Sequence, residues 1–184
     1  MRESQAGDPS YNAAPNVDRS FNVSQGSGGP PFTNVGFETP NLGGAFQYAP
    51  SGATWTFSGG AGISGNATAF TNGNPNAPEG AQVGFLQGIN SQITQTASIP
   101  AGQYTLSLRA AQRGNYQFGT QIVQVQVDGV TVGQYQPPGT AYGTYQISAF
   151  TIASSGNHTI ALIGVGTGGD FTGFIDNVSV VLTR

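Results

Sequence analysis

The chain has no cysteine and no lysine. The first absence excludes disulfides and thiol chemistry but leaves the compartment open, because many exported proteins also lack cysteine. The second leaves five arginines against eight acidic residues in 184 positions. With no basic run, nucleic acid is not an expected partner. No apolar run approaches the roughly 20 residues of a membrane span. The opening, Met1-Arg2-Glu3-Ser4, leads into polar residues rather than the apolar centre of a signal peptide. An exported protein of this sequence is therefore expected to be part of a longer parent chain that carries the signal.

Glycine, at 29 residues, and the uncharged polar side chains Asn, Gln, Ser and Thr take the place of charge. Short runs of Val, Ile, Leu and aromatics from Phe32 onward, separated by Gly/Asn/Pro turns, argue an all-β antiparallel sandwich rather than disorder. The clearest run is Gln103–Arg113. Tyr104, Leu106, Leu108 and Ala110 alternate with Thr105, Ser107, Arg109, Ala111 and Arg113, the period of a strand with one buried face. The arginines fall on the other face, since an unpaired guanidinium is costly to bury. Further strands are expected at 33–38, 45–49, 54–57, 81–87, 91–99, 145–152, 158–165 and 174–182, with long loops around a minor strand, ATAF, between Gly59 and Gly80. Asp128-Gly129 between Gln121–Val127 and Val130–Gln134 is the strongest hairpin signal. A two-residue turn there pairs Val127 with Val130, Val125 with Val132 and Gln126 with Thr131, and sets Ile122 opposite Tyr135.

Residues 1–31 read separately from 32–184. The stretch RESQAGDPSYNAAPNVDRSFNV resembles the last strands of immunoglobulin-like repeats in large bacterial surface and secreted proteins. It is too short to build its own core and is expected to be extended or packed on a neighbour; a disordered tail is the alternative. GSGGPP at Gly26–Pro31 reads as a linker.

In the remainder, N-V-G-F-E at Asn34–Glu38 and F-I-D-N-V-S-V at Phe174–Val180, together with P-A-G-Q-Y-T-L and V-D-G, resemble the galactose-binding-like β-sandwiches. This jelly-roll group includes many bacterial carbohydrate-binding modules. The resemblance implies a structural calcium held by the carboxylates of Glu38 and Asp176 and the carbonyl of Gly36, in keeping with calcium's demand for six to eight oxygens. The alternative is that Glu38 and Asp176 cap turns.

Catalysis finds little support. Asp128 belongs to a turn, Glu79 and Asp170 lie in Gly-rich loops without a motif, and His158 has no nucleophile pattern around it. A sugar site needs aromatic faces and paired donors and acceptors, which Gln and Arg supply. The candidates are Trp55, Tyr116, Phe118, Tyr135, Tyr142 and Phe171 among the rings, and Gln87, Arg109, Gln112, Arg113, Gln124 and Gln126 among the polar side chains. Phe37, Phe57, Phe70, Phe85, Phe150 and Phe174 are assigned to the core. The expected function is a non-catalytic module, monomeric and extracellular or at the cell surface. It anchors a larger exported protein on a polysaccharide, one carrying carboxylates if Arg109 and Arg113 meet them. The alternative is a structural or adhesive module of a multidomain surface protein.

Overall fold

A computed structural model describes residues 31–117 and 121–183, with the backbone of 2–3 and 17–18. Phe118 and nearly all of the stretch read as a repeat fragment lie outside the described residues. Strands β1 (Arg2–Glu3) and β2 (Val17–Asp18) pair antiparallel.

The sandwich is built from β3 (Phe46–Tyr48), β4 (Thr56–Ser58), β5 (Ala61–Gly65), β6 (Gln82–Gln87), β7 (Gln92–Ile99), β8 (Gly102–Gln112), β9 (Val123–Val127), β10 (Val130–Tyr135), β11 (Gly143–Ile152), β12 (Gly156–Gly164) and β13 (Thr172–Thr183). They form a five-stranded sheet, β10-β9-β12-β7-β4, and a six-stranded sheet, β11-β8-β13-β6-β5-β3. Every recorded pairing is antiparallel. Leu106, Leu108 and Ala110 of β8 meet Val123, Val125, Ile160 and Leu162 of the other sheet in the main core. The alternation of β8 is as the sequence predicts, and Arg109 and Arg113 leave by the outer face.

A second, smaller cluster covers that outer face. Val83 and Phe85 of β6, Ala111 of β8 and Phe174 of β13 alternate out of phase with the core residues of their strands, and Phe70 and Tyr142 reach over them from loops. Phe70, Phe85 and Phe174 are thus buried outside the sheet, not between the sheets as expected.

Three local expectations are corrected. Residues 33–38 are a turn, not a strand: Asn34 and Phe37 have φ of 51° and 59°, outside the extended region of a regular strand. The side chain of Asn34 closes the turn on Thr39. ATAF is also a turn, organised by Thr68 and Thr71 hydroxyls, with Ala67 at φ 56°. The strand in this region is instead β5, whose AGISG sequence is too glycine-rich to announce itself. The β9–β10 hairpin keeps the Val127–Val130 and Gln126–Thr131 pairs, but a bulge after Thr131 sets Val125 against Gly133 and Tyr135 against Val123.

Buried amides do much of the stitching that charges do elsewhere. Gln82 accepts from Leu42 N and donates to the Phe37 and Pro40 carbonyls. Gln121 donates to the carbonyls of Leu86, Gly88 and Phe171 and accepts from Gly166 N. An amide carries both donor and acceptor, so one side chain satisfies several loop ends without burying charge.

Candidate functional site

At the β3 edge of the six-stranded sheet the outer face carries a continuous aromatic surface. The period-two spacing of Phe46 and Tyr48 puts both rings on one face, and both are substantially exposed, Tyr48 at 42%. Phe70 lies 4.6 Å from Phe46 and 4.6 Å from Phe85, ring centre to ring centre, and Tyr48 stands edge-on to Phe85 at 5.1 Å. Such packed pairs hold the exposed rings in fixed orientations.

Arg113 continues the surface. It follows directly on β8, and its guanidinium carbon lies 4.3 Å from the Phe70 ring centre and 5.3 Å from that of Tyr116, which is 49% exposed. Its Nε donates to Asn115 Oδ1 at 2.7 Å and an Nη to the Ala69 carbonyl at 3.0 Å. Asn74 ties this corner together, donating to the Gln112 and Thr140 carbonyls and accepting from Gly114 N. The loops meet backbone to backbone: a Cβ on Gly73 would stand 2.6 Å from Asn115 N.

Polar groups rim the rings. The Tyr48 hydroxyl donates to Gln87 Oε1. Gln117 Oε1 accepts from Asp170 N at 2.6 Å, and its Nε2 donates to the Tyr116 hydroxyl at 3.3 Å. Burial first, and then the negative charge of Asp170, push the Tyr48 hydroxyl above its ordinary range. Phe171, half-buried beside Asp170, gives its carbonyl to Gly88 N and Gln121.

Of the sugar-site candidates, the fold brings Gln87, Arg113, Tyr116 and Phe171 together here. It takes others away. Trp55 is 2% exposed, stacked with Phe32 and donating from Nε1 to the Asn34 carbonyl at 2.9 Å, so neither ring face is free. Gln112 is buried and bonded to Gln121. Tyr135 is buried and stacked on Tyr145. Tyr142 packs into the outer cluster. Gln124 and Gln126 bond to each other on the five-stranded sheet, not on the sheet that carries the arginines. Arg109 donates to the Tyr142 carbonyl at 2.6 Å and to Thr144 at 3.3 Å. Phe46, Tyr48, Phe70 and Phe85 complete the site, and sequence reasoning missed them. The F-x-Y period of β3 was the available signal for the first two.

A second polar cluster joins the two terminal motifs. Asp176 is fully buried, and its oxygens accept from Glu79 N at 2.8 Å and Asn177 N at 2.7 Å. Burial is the main cause that raises its carboxyl to about 7; the two amides oppose this, and the charges of Glu79 and Glu38 add to it. Glu38 Oε1 accepts from Ala81 N and Gln82 N. The Glu79 carboxylate lies against Gly36, where a Cβ would stand 2.6 Å from Oε2. Arg109, the register partner of Asp176, turns its guanidinium to Tyr142 and Thr144 instead. The turn-capping alternative is therefore realised for both carboxylates. The same donor set suits a hard cation, since ionised carboxylates keep lone pairs beyond those the amides use. Among the described residues no group of three or more such side chains has metal-holding spacing.

At another edge, an open groove of about 450 Å³ lies between the β9–β10 hairpin and the end of β11, lined by Val127, Val130, Val132, Phe150 and Ile152. His158 crosses its rim. Nδ1 faces Asp128 Oδ2 at 2.6 Å and Nε2 faces the Ser154 carbonyl at 2.8 Å.

No family model and no curated protein matches the chain. Solved structures do. The module TmCBM61, in complex with β-1,4-galactotriose, matches over 84% of this chain and 99% of its own, with 19% identity and a TM-score of 0.58. The module CBM36, in complex with calcium and xylotriose, matches over 68% and 92%, with 21% identity and a TM-score of 0.51. The CBM36-1 domain of a multidomain xylanase from the hindgut metagenome of Trinervitermes trinervoides matches over 61% and 86%, with 24% identity and a TM-score of 0.50. The fold is that of carbohydrate-binding modules. At these identities the likeness is one of architecture, and a function has to be argued from the site itself.

Proposed function

We propose that residues 32–184 form a non-catalytic carbohydrate-binding module whose site is the surface of Phe46, Tyr48, Arg113 and Tyr116, rimmed by Gln87, Gln117 and Asp170. One observation carries this reading: the exposed rings of Phe46 and Tyr48 packed on Phe70 and Phe85, joined through Phe70 to the Arg113 guanidinium and exposed Tyr116, with amide and carboxylate groups nearby. Sugar rings offer apolar C–H faces to such rings and hydroxyls to such edges. Gln87, Arg113 and Tyr116 supply the polar and aromatic groups that the sequence reading sought. The oligosaccharides bound by TmCBM61 and CBM36 support the class of ligand. The module would hold a larger exported protein on a polysaccharide, raising its local concentration there, with residues 1–31 as the end of a preceding repeat and a linker. A monomer fits this role.

Glu79 and Asp170, the carboxylates left over for catalysis, lie in separate clusters, one beside Asp176 and the other beside Tyr48. Calcium belongs to the same proposal. Glu38 and Asp176, with the Gly36 carbonyl, would supply oxygen ligands, and the ion would relieve a buried negative charge. The calcium bound by CBM36 supports this.

Native electrophoresis through gels containing soluble xylan or galactan tests the sugar reading. Retardation that is lost in Tyr116→Ala supports it. Equal mobility with and without every polysaccharide would overturn it.

A further inference from the structure

We infer that this surface takes uncharged sugar units, with Asp170 as the specificity-determining residue that accepts from their hydroxyls and turns away uronates. The inference rests on the carbohydrate reading above. It opposes the expectation, drawn from sequence, that the two arginines of β8 and its end select an acidic polysaccharide.

The arginines are engaged within the protein. Arg109 has one terminal nitrogen on the Tyr142 carbonyl and the other on Thr144, and its Nε is buried. Arg113 is only 9% exposed. Its Nε and one Nη are bonded to Asn115 and Ala69, and it stacks on Phe70 and Tyr116. Paired recognition of a carboxylate needs two parallel N–H groups presented outward. Each side chain has two of its N–H groups tied to other parts of the protein, Arg109 to Tyr142 and Thr144 and Arg113 to Asn115 and Ala69, and Arg113 is mostly covered, so little of either guanidinium faces outward. The remaining arginines, Arg2, Arg19 and Arg184, belong to the ends of the chain.

Asp170 presents the opposite charge at this surface. Its backbone is held on both sides: the amide donates to Gln117 Oε1 and the carbonyl accepts from Thr172 Oγ1 at 3.4 Å. Among the described residues, no hydrogen bond or ion pair engages its carboxylate, which is half-exposed and close enough for its charge to act on Tyr48. A carboxylate near exposed Tyr48, next to the Gln117 that bonds exposed Tyr116, is an acceptor for hydroxyl pairs and a repulsive neighbour for a ligand carboxylate. Gln87, already fixed by Tyr48, keeps its NH2 group to donate to a sugar oxygen.

Isothermal titration with xylotriose, β-1,4-galactotriose and trigalacturonate tests the inference, at about 0.02 M and about 0.5 M salt. Binding of a neutral trisaccharide is expected, with less than about twofold change between the two salt levels, since no ion pair is made. Asp170→Asn keeps the shape but loses acceptor strength, and it should weaken that binding about tenfold. Trigalacturonate binding that falls with salt and is lost in Arg113→Gln would overturn the inference while leaving the carbohydrate site standing. So would neutral binding unchanged in folded Asp170→Asn. Silence toward all three sugars, with no polysaccharide retarding the protein, would overturn the carbohydrate reading and this inference with it.

Discussion

The guanidinium of Arg113 lies over the ring of Phe70, its central carbon 4.3 Å from the ring centre. Phe70 belongs to the loop between β5 and β6, and Arg113 to the end of β8, so this one contact joins two distant parts of the chain. Phe70 in turn stands 5.9 Å from Tyr48, and the arginine 5.3 Å from Tyr116, so the contact links the two tyrosines. The ligand surface depends on that join.

Arg113→Lys is therefore expected to be damaging despite the kept charge. Lysine has no planar face to stack and no fork to reach both Ala69 and Asn115. A hydrogen bond to a charged group contributes about 1.5–3 kcal/mol, so a drop of several degrees in Tm should appear in a thermal melt. An unchanged melt would place the arginine outside the loop's support.

Gly73→Ala tests the backbone contact beneath the same loop. Its Cβ would stand 2.6 Å from Asn115 N and 2.8 Å from the Gly114 carbonyl carbon, so one loop must move. Overpacking of this kind costs about 1–3 kcal/mol. Both Tm and sugar affinity should fall together, because Phe70 and Tyr116 sit on the loops that separate.

Calcium should raise Tm and chelator lower it. Ligand at about 100 times its Kd stabilises by about 2.7 kcal/mol. Asp176→Ala and Glu38→Ala should each abolish the calcium response. A wild-type melt indifferent to calcium and chelator would leave these carboxylates as turn caps alone.

The His158–Asp128 contact gives a pH signature. Its hydrogen bond to Asp128, and then the Ser154 carbonyl, raise the histidine above its usual value; its hydrogen bond to His158, and then the Thr159 amide, lower the aspartate below its own. The histidine's contribution is full below about pH 6.5, its unfolded value, and disappears as pH rises through the raised folded value. The aspartate's contribution is full above about pH 3.9 and disappears as pH falls through the lowered value. The difference in Tm between wild type and His158→Gln should therefore be greatest between about pH 4 and 6.5 and shrink in alkali. A pH-independent difference would mean that the contact is steric only.

Much of the sandwich could be read from alternation. The β8 strand, the Asp128-Gly129 turn and the inward valines of β9 follow from period and turn chemistry alone. The failures have local causes. Asn34–Thr39 has a strand-like pattern, yet side-chain bonds from Asn34 and positive φ at Asn34 and Phe37 hold it as a turn. The site was half legible. Gln87, Arg113 and Tyr116 were chosen for their chemistry, but alternation does not say which buried face a ring belongs to. Phe85 and Phe174 thus passed for core residues. Phe46, Phe70 and Phe85 are far apart in sequence and meet only through β3–β5 and β5–β6 pairing and the turn after β5. Trp55 was drawn the other way: a lone tryptophan near a loop suits a sugar, but its ring fills the interior beside Phe32 and Phe37.

The most direct test of the site is an amide chemical-shift map of the 15N-labelled protein titrated with xylotriose and with β-1,4-galactotriose. Shifts should concentrate at residues 46–48, 87, 113–117 and 170. Shifts centred on Gln124 and Gln126, or at the Val130–Phe150 groove, would contradict the account.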